Sequence, residues 1–463
     1  MQDKRKYYQK ILEKQSKAPN ALDFATPAKE LIDKLSGTIN DTFLCTTAQV
    51  TAPVLTSYVL WVLRDAIKSN IKTLLFVARD GYVMYKIATA LCKHFGWDID
   101  CRYFYASRQS LRLPLYAIDK TYALSKHCDP NSENYTTHAI LTAAGLSASE
   151  SNDVMKEISA RARTDVKTQL EKSQLFDRYA LLAASKALDE AKGYFSQTVP
   201  DNPCSFALVD SGWSGSIQES FGKLYHFFTG YPASSIRGYY FGIVTIPPTR
   251  AGVFKSYFFS PRNKFRRFRR FSIDLFECLC AAEGGRTLGY RQESGKWLPV
   301  LESEGASCSG CWDAKTQIDM CTEYAELFSI KNTQAQNFSD ISCLNYHLLR
   351  SFMHRPSKEE ASVYGKIPFS RGVLESNMST LARRLTDDEI KQYTLTWRLW
   401  RIITLKRNNK PLENPVFWMP GAIALSEGSW LQKINVQLLL FTYWIKIGIK
   451  SFIKNKRKVA SCI

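Results

Sequence analysis

Two stretches of the chain follow one pattern: a short unbroken apolar run, a polar loop, then a helix-like period. The first is TLLFVARDGYVMYKIATAL, Thr73 to Leu91, and the second is FALVDSGWSGSIQESF, Phe206 to Phe221. A run that is apolar at every position is what a strand covered on both faces requires, and such strands belong to parallel sheets. After Thr73–Ala78 the residues Val83, Ile87 and Leu91 mark a helix from Tyr82 to His94. CRYFYA, Cys101 to Ala106, then reads as a second strand ending at Ser107-Arg108. Strand, helix and strand in this order form a βαβ unit. A third strand is expected at Phe206–Val209, a helix from about Ile217 to Phe227, and a fourth strand at Ile236–Val244. Residues 120–200 between the two units are rich in helix formers and read as a helical insertion. The expected fold is a doubly wound α/β domain over residues 40–250. Residues 1–39 read as a charged helix and connector, 251–430 as a mixed, mainly helical region, and 431–463 as a basic amphipathic helix.

Charge narrows the partners. The formal net charge is +19, but residues 262–270 (RNKFRRFRR) and 446–458 carry six basic residues each and no acid; without them the excess is +7. Two local anionic contacts are therefore expected rather than a uniformly basic surface. On a helical wheel Lys446, Lys450 and Lys454 share one stripe, opposite Phe441, Ile445, Ile449 and Phe452. Lysines at mid-length disfavour a spanning helix and fit one lying in the headgroup layer, or a core-packed helix with a basic outer face. MQDKRKYYQKILEKQSK has no apolar stretch of the signal-peptide kind, and most of the twelve cysteines are scattered singly. Both features fit a cytoplasmic setting. Cys308 and Cys311, with Cys278 and Cys280 upstream, have ligand-like spacing but no second pair, so reduced bystander thiols are the default.

Parallel α/β sheets bind ligands beyond the carboxyl ends of their strands. Ser214, Gly215 and Ser216 offer backbone N–H groups and hydroxyls at a helix start, a setting for a phosphate. Asp210 just before them repels a phosphate and suits hydroxyls, a cationic centre or a metal. Arg79, beside Gly81 and another helix start, suits a second anionic group through its planar fork, with Arg108 at the end of the neighbouring strand in support. One ligand with phosphates at both ends and a diol between them satisfies both loops. 5-Phosphoribosyl-1-pyrophosphate (PRPP) is such a ligand.

FALVDSGWSGSIQ resembles the PRPP signature of type I phosphoribosyltransferases, and TLLFVARDGYVMYKIATAL resembles their pyrophosphate loop and helix. The family has two adjacent acids where this chain has Asp210 followed by Ser211. Taken with YFYASRQS and FECLCAAEGGRTLGY, the blocks across residues 40–295 are similar to glycan phosphoribosyltransferases of bacterial surface-polysaccharide clusters. That resemblance implies transfer of 5-phosphoribose from PRPP to a lipid-linked or growing glycan of an O-antigen or capsule, with release of pyrophosphate. It also implies Mg²⁺ as cofactor, a haloacid-dehalogenase-type phosphatase acting on the product, and a place at the cytoplasmic face of the inner membrane.

The expected PRPP contacts are Arg79, Gly81, Ser107, Arg108, Asp210, Ser211, Gly212, Ser214, Gly215 and Ser216. Asp210, Asp80 and Arg79 are the catalytic candidates. Asp80 serves as acceptor base or Mg²⁺ ligand, with a plain helix N-cap as the structural alternative. Glu277 and Glu283 are further base candidates. Arg266, Arg267, Arg269 and Arg270 are expected to meet the membrane or an anionic acceptor. Two rival functions remain. A haloacid-dehalogenase-type phosphatase needs acids two residues apart after a strand, and only Asp98 and Asp100, before a strand, have that spacing. A non-enzymatic binder of nucleic acid or acidic glycan would use the alternating Phe and Arg of residues 262–270 to stack bases and hold phosphates. No nucleic-acid partner is expected under the transferase reading.

Overall fold

The computed structural model describes residues 4–17, 21–35, 41–128, 136–159, 166–245, 251–302, 313–333, 341–369, 379–392 and 416–427, with 434, 438 and 442. At its centre lies a five-stranded sheet of β1 (Thr73–Val77), β2 (Asp100–Phe104), β3 (Phe206–Trp213), β4 (Arg237–Ile243) and β5 (Val253–Phe259). Every pairing is parallel and the order is β2-β1-β3-β4-β5. The chain steps outward from β1 to β2, then returns to the other side of β1 with β3. That reversal makes the gap between the carboxyl ends of β1 and β3 the topological switch point of the sheet, where ligands bind in open α/β folds.

Alternate residues of the central strands enter two separate cores. Leu74, Phe76, Ala207, Val209, Tyr239 and Phe241 point to one face, and Leu75, Val77, Phe104, Phe206 and Leu208 to the other. Both faces of the central strands are covered, which is why Thr73–Val77 and Phe206–Val209 are buried at every position, whereas the edge strands β2 and β5 carry Arg102 and Lys255. The first face holds α1 (Ala52–Lys68), α2 (Gly81–Phe95) and α6 (Ala314–Lys331); the second holds α3 (Gln174–Thr198) and α4 (Ser216–Thr229). The short α5 (Ile273–Leu279) also packs on the first face, and a hairpin of β6 (Thr287–Glu293) and β7 (Lys296–Leu301) follows it.

Three sequence expectations need correction. The sheet continues past residue 250, because β5 pairs with β4 and Lys255 on it meets Asp65 of α1 at 2.6 Å. The N-terminal helix is no separate connector: Tyr8 and Leu12 are buried in the first core, and the Tyr8 hydroxyl donates to Glu360 at 2.6 Å. β3 does not stop at Val209 but runs four residues on, through Asp210 to Trp213. Among the described residues one helical stretch, Thr42–Lys68, is long and apolar enough to cross a membrane, yet its apolar window is wholly buried inside the molecule. Cys278 and Cys280 are buried free thiols, whereas Cys308, Cys311, Lys446, Lys450 and Lys454 lie outside the described residues.

Candidate active site at the switch point

The connection after β1 is short. Ala78, Arg79 and Asp80 lead directly into α2, with the Ala78 N–H donating to Phe104 O at 3.0 Å and the Tyr82 N–H to Arg79 O at 3.0 Å. The Ala78–Arg79 peptide is cis. Gly81 lies under Phe76, whose backbone carbon would stand 2.8 Å from any added Cβ, so only glycine starts α2 this close to its strand. Asp80 occupies the N-cap position but makes no side-chain cap. Its carboxylate instead accepts a hydrogen bond from the Ser211 hydroxyl, across the gap to β3.

The connection after β3 is held by the neighbouring strand. Asp210 pairs with Tyr240 and Gly212 with Gly242. Gly212 has φ 130°, and a Cβ there would meet Gly242 O at 1.9 Å. The Asp210 carboxylate accepts from the Ser211 N–H at 2.8 Å, while its backbone carbonyl accepts from the Tyr58 hydroxyl at 3.0 Å. Trp213, at φ 110°, packs against Phe259, Phe271 and Phe276 and donates its indole N–H to Glu277 at 2.8 Å. Ser214 is exposed, Gly215 caps α4 in the left-handed conformation (φ 68°), and Ser216 begins the helix. Neither α2 nor α4 has a side-chain cap; the Tyr82 N–H is taken by Arg79 O, and among the described residues the other first-turn N–H groups stay available to an anion.

Three carboxyl groups therefore share one recess: Asp80, Asp210 and Glu277. Burial raises the proton affinity of each. The Asp80 charge adds to the effect on Asp210, which is pushed up to about 8. Glu277 is also pushed up to about 8, by burial and then by Asp80, against the Trp213 hydrogen bond and Arg108. For Asp80 burial outweighs the opposing hydrogen bond from Ser211 and the charges of Arg79 and Arg108. The recess thus holds two acids, Asp210 and Glu277, raised to near neutral pH and a third, Asp80, raised by burial, edged by two guanidinium groups that are exposed. Among the described residues, no three Asp, Glu, His or Cys side chains converge tightly enough to hold a metal ion alone.

Most of the sequence candidates thus fall in one place: Arg79, Asp80, Gly81, Arg108, Asp210, Ser211, Gly212, Ser214, Gly215 and Ser216. Ser107 is near but engaged, since its hydroxyl caps the helix Arg108–Arg112 and donates to Thr287 O at 2.6 Å. Ser211 is likewise committed, to Asp80. Glu283 is exposed and, among the described residues, no contact joins it to the recess, whereas Glu277 enters it through Trp213. Asp98 and Asp100 sit at the amino end of β2 in ion pairs with Lys72 and Arg102, away from the switch point.

The segment at residues 262–270 differs from the surface that base stacking requires. Phe268 is buried, and Phe265 and Phe271 pack into the first core along one face of a 3₁₀ turn. Arg267 lies over the Phe258 ring at 5.1 Å, and Arg270 donates to the Tyr346 hydroxyl. Arg266 is exposed. Arg269 and Arg270 gather with Arg350 and Arg355 around His354, which burial and these four cations hold down at about 4. The phenylalanines anchor the segment and the arginines form a cationic face. No family model matches the chain, and no curated protein matches it.

Proposed function

We propose that this protein transfers 5-phosphoribose from PRPP to a hydroxyl of a surface-polysaccharide glycan, releasing pyrophosphate. The observation that carries the proposal is the Ser211–Asp80 hydrogen bond, which joins the loops after β1 and β3 at the switch point. One side of this joint presents Arg79 and the start of α2 to a pyrophosphate; the other presents the start of α4 to a 5-phosphate. Asp210 lies between them, where ribose hydroxyls and the developing positive charge at C1 would sit. The C1–O bond to pyrophosphate breaks, the bond from the acceptor oxygen to C1 forms, and the acceptor proton passes to a carboxylate. Glu277, pushed up to about 8, suits this task near neutral pH; Asp80, also raised by burial, is the alternative base where it does not hold the metal.

Mg²⁺ favours one or two carboxylates together with substrate phosphates over an all-protein cage. Asp80 and Asp210 fit that demand, since each is destabilised as an anion by burial. Bound there, the ion would screen the charge of the departing pyrophosphate. In this reading the cationic face around Arg266, Arg269 and Arg270 meets an anionic lipid-linked acceptor at the cytoplasmic surface of the inner membrane. A haloacid-dehalogenase-type phosphatase would then act on the product. Purified protein incubated with PRPP, Mg²⁺ and a panel of polysaccharide repeat-unit acceptors should release pyrophosphate and add one phosphoribose to an acceptor. Neither product appearing with any acceptor would refute the proposal.

A further inference from the structure

Four tyrosines line the edge of the sheet beside the Arg79–Asp80 loop. Tyr82 and Tyr85 lie one turn apart on α2; Tyr103 is on the edge strand β2, and Tyr105 follows it. Their rings touch in series: Tyr82 to Tyr103 at 5.0 Å, Tyr85 to Tyr103 at 6.2 Å and Tyr103 to Tyr105 at 4.8 Å between centroids. All four are partly exposed, and among the described residues none of their hydroxyls makes a hydrogen bond. The platform is held from behind. The Tyr194 hydroxyl accepts from the Tyr105 N–H at 3.0 Å, the Tyr290 hydroxyl donates to Tyr105 O at 2.8 Å, and those two rings stack at 4.2 Å.

We propose that this tyrosine platform is the acceptor subsite, binding one or two sugar rings of a neutral oligosaccharide next to the Asp80 recess. Sugars match it chemically. The C–H face of a pyranose packs on an aromatic ring, and its hydroxyls need partners that the four free phenols supply. Tyrosine gives a large, stiff, amphipathic contact at low entropic cost. The position also fits, because the Tyr82 N–H caps the Arg79 carbonyl and Tyr103 pairs in register with Phe76, four residues before Asp80. A glycan on the rings brings a hydroxyl toward the loop that carries the base. The acceptor role rests on the transferase reading above; carbohydrate binding by the platform does not.

The test uses the full chain without PRPP on an array of neutral oligosaccharides from bacterial surface-polysaccharide repeat units. The wild-type protein should retain at least one oligosaccharide. A Tyr82→Ala/Tyr103→Ala variant should lose about tenfold or more of that binding, while Tyr82→Phe/Tyr103→Phe keeps part of it. Since the alanine variant removes packing, a second measurement follows ring signals of ¹³C-tyrosine-labelled wild-type protein. Those of Tyr82 and Tyr103, assigned with single Phe variants, should shift as the retained oligosaccharide is added. No retained oligosaccharide, unchanged binding by a folded alanine variant, or unshifted ring signals would overturn the subsite. So would retention of single-stranded oligonucleotides through the same tyrosines in place of sugars. PRPP binding, measured in parallel by calorimetry, separates the two proposals. Glycan bound through the tyrosines without PRPP binding keeps the platform and removes the transferase reading. PRPP bound with tyrosine-independent glycan binding does the reverse.

Discussion

The connections after β1 and β3 begin from similar sequence and reach different ends. After β1 the strand stops and α2 starts within three residues, leaving Arg79 exposed at a helix start. After β3 the strand continues past its acid, pairs with β4 as far as Trp213, and only then turns through Gly215 into α4. The first connection offers an exposed cation; the second holds an acid in place through backbone pairing. Under the proposed transfer, the site neutralises a leaving anion and steadies a cationic centre, and needs one of each. Ser211 joins them.

The largest test of this division is at the acids and cations themselves. Asp210→Asn should lower turnover by ~10³-fold or more, and Arg79→Ala by ~10²–10³-fold, both with unchanged circular dichroism. Arg79→Lys should recover only part, since an ammonium lacks the planar fork. Equal, small losses at both positions would break the comparison. Asp210→Asn should also reveal the strain of the buried acid. Its carboxyl rises from 3.8 to about 8 on folding, so the native state holds the proton more tightly. Its contribution to stability therefore falls as pH rises between about 4 and 8. The Asn variant should match wild type in Tm at pH 4 and exceed it by on the order of 1–3 °C at pH 8.5.

Backbone substitutions come next. Gly212→Ala forces a Cβ into Gly242 O at a left-handed φ and should cost ~2–4 kcal/mol by denaturant unfolding. Gly81→Ala meets a milder 2.8 Å contact and should cost less, while moving α2 and Arg79 enough to raise KM for the donor. A smaller effect is expected at the joint. Ser211→Ala removes a hydrogen bond that lowers the Asp80 pKa, so with Asp80 as the base the ascending limb of log kcat/KM against pH should move to higher pH. Smallest should be Trp213→Phe, which releases Glu277 and shifts the same limb upward only if Glu277 is the base.

The parts of this site that were legible in the sequence were local. Unbroken apolar runs disclosed β1 and β3, aromatic-rich runs carrying Arg102 and Arg237 disclosed β2 and β4, and the residues just after β1 and β3 disclosed the loops. β5 escaped because VFKSYFF carries Lys255 and Ser256, as an edge strand can, and Lys255 finds its partner on α1. The helix at Ala52–Lys68 escaped for the opposite reason: buried on nearly every side, it shows little of the polar stripe that marks a surface helix. Glu277 reaches the recess through Trp213, sixty-four residues earlier, and no local spacing records that contact. The Phe-Arg segment did carry a usable signal. Phe265, Phe268 and Phe271 recur every third residue, the period of a 3₁₀ turn with one buried face.

The central claim is that one ligand spans both connections, and competitive calorimetry with PRPP and its two halves tests it most directly. Arg79→Ala should weaken pyrophosphate and leave ribose 5-phosphate unaffected. Ser216→Ala should do the reverse, and each should weaken PRPP. Either half should displace PRPP from the wild-type protein. PRPP that binds with unchanged affinity to both variants, or that neither half displaces, would contradict the account.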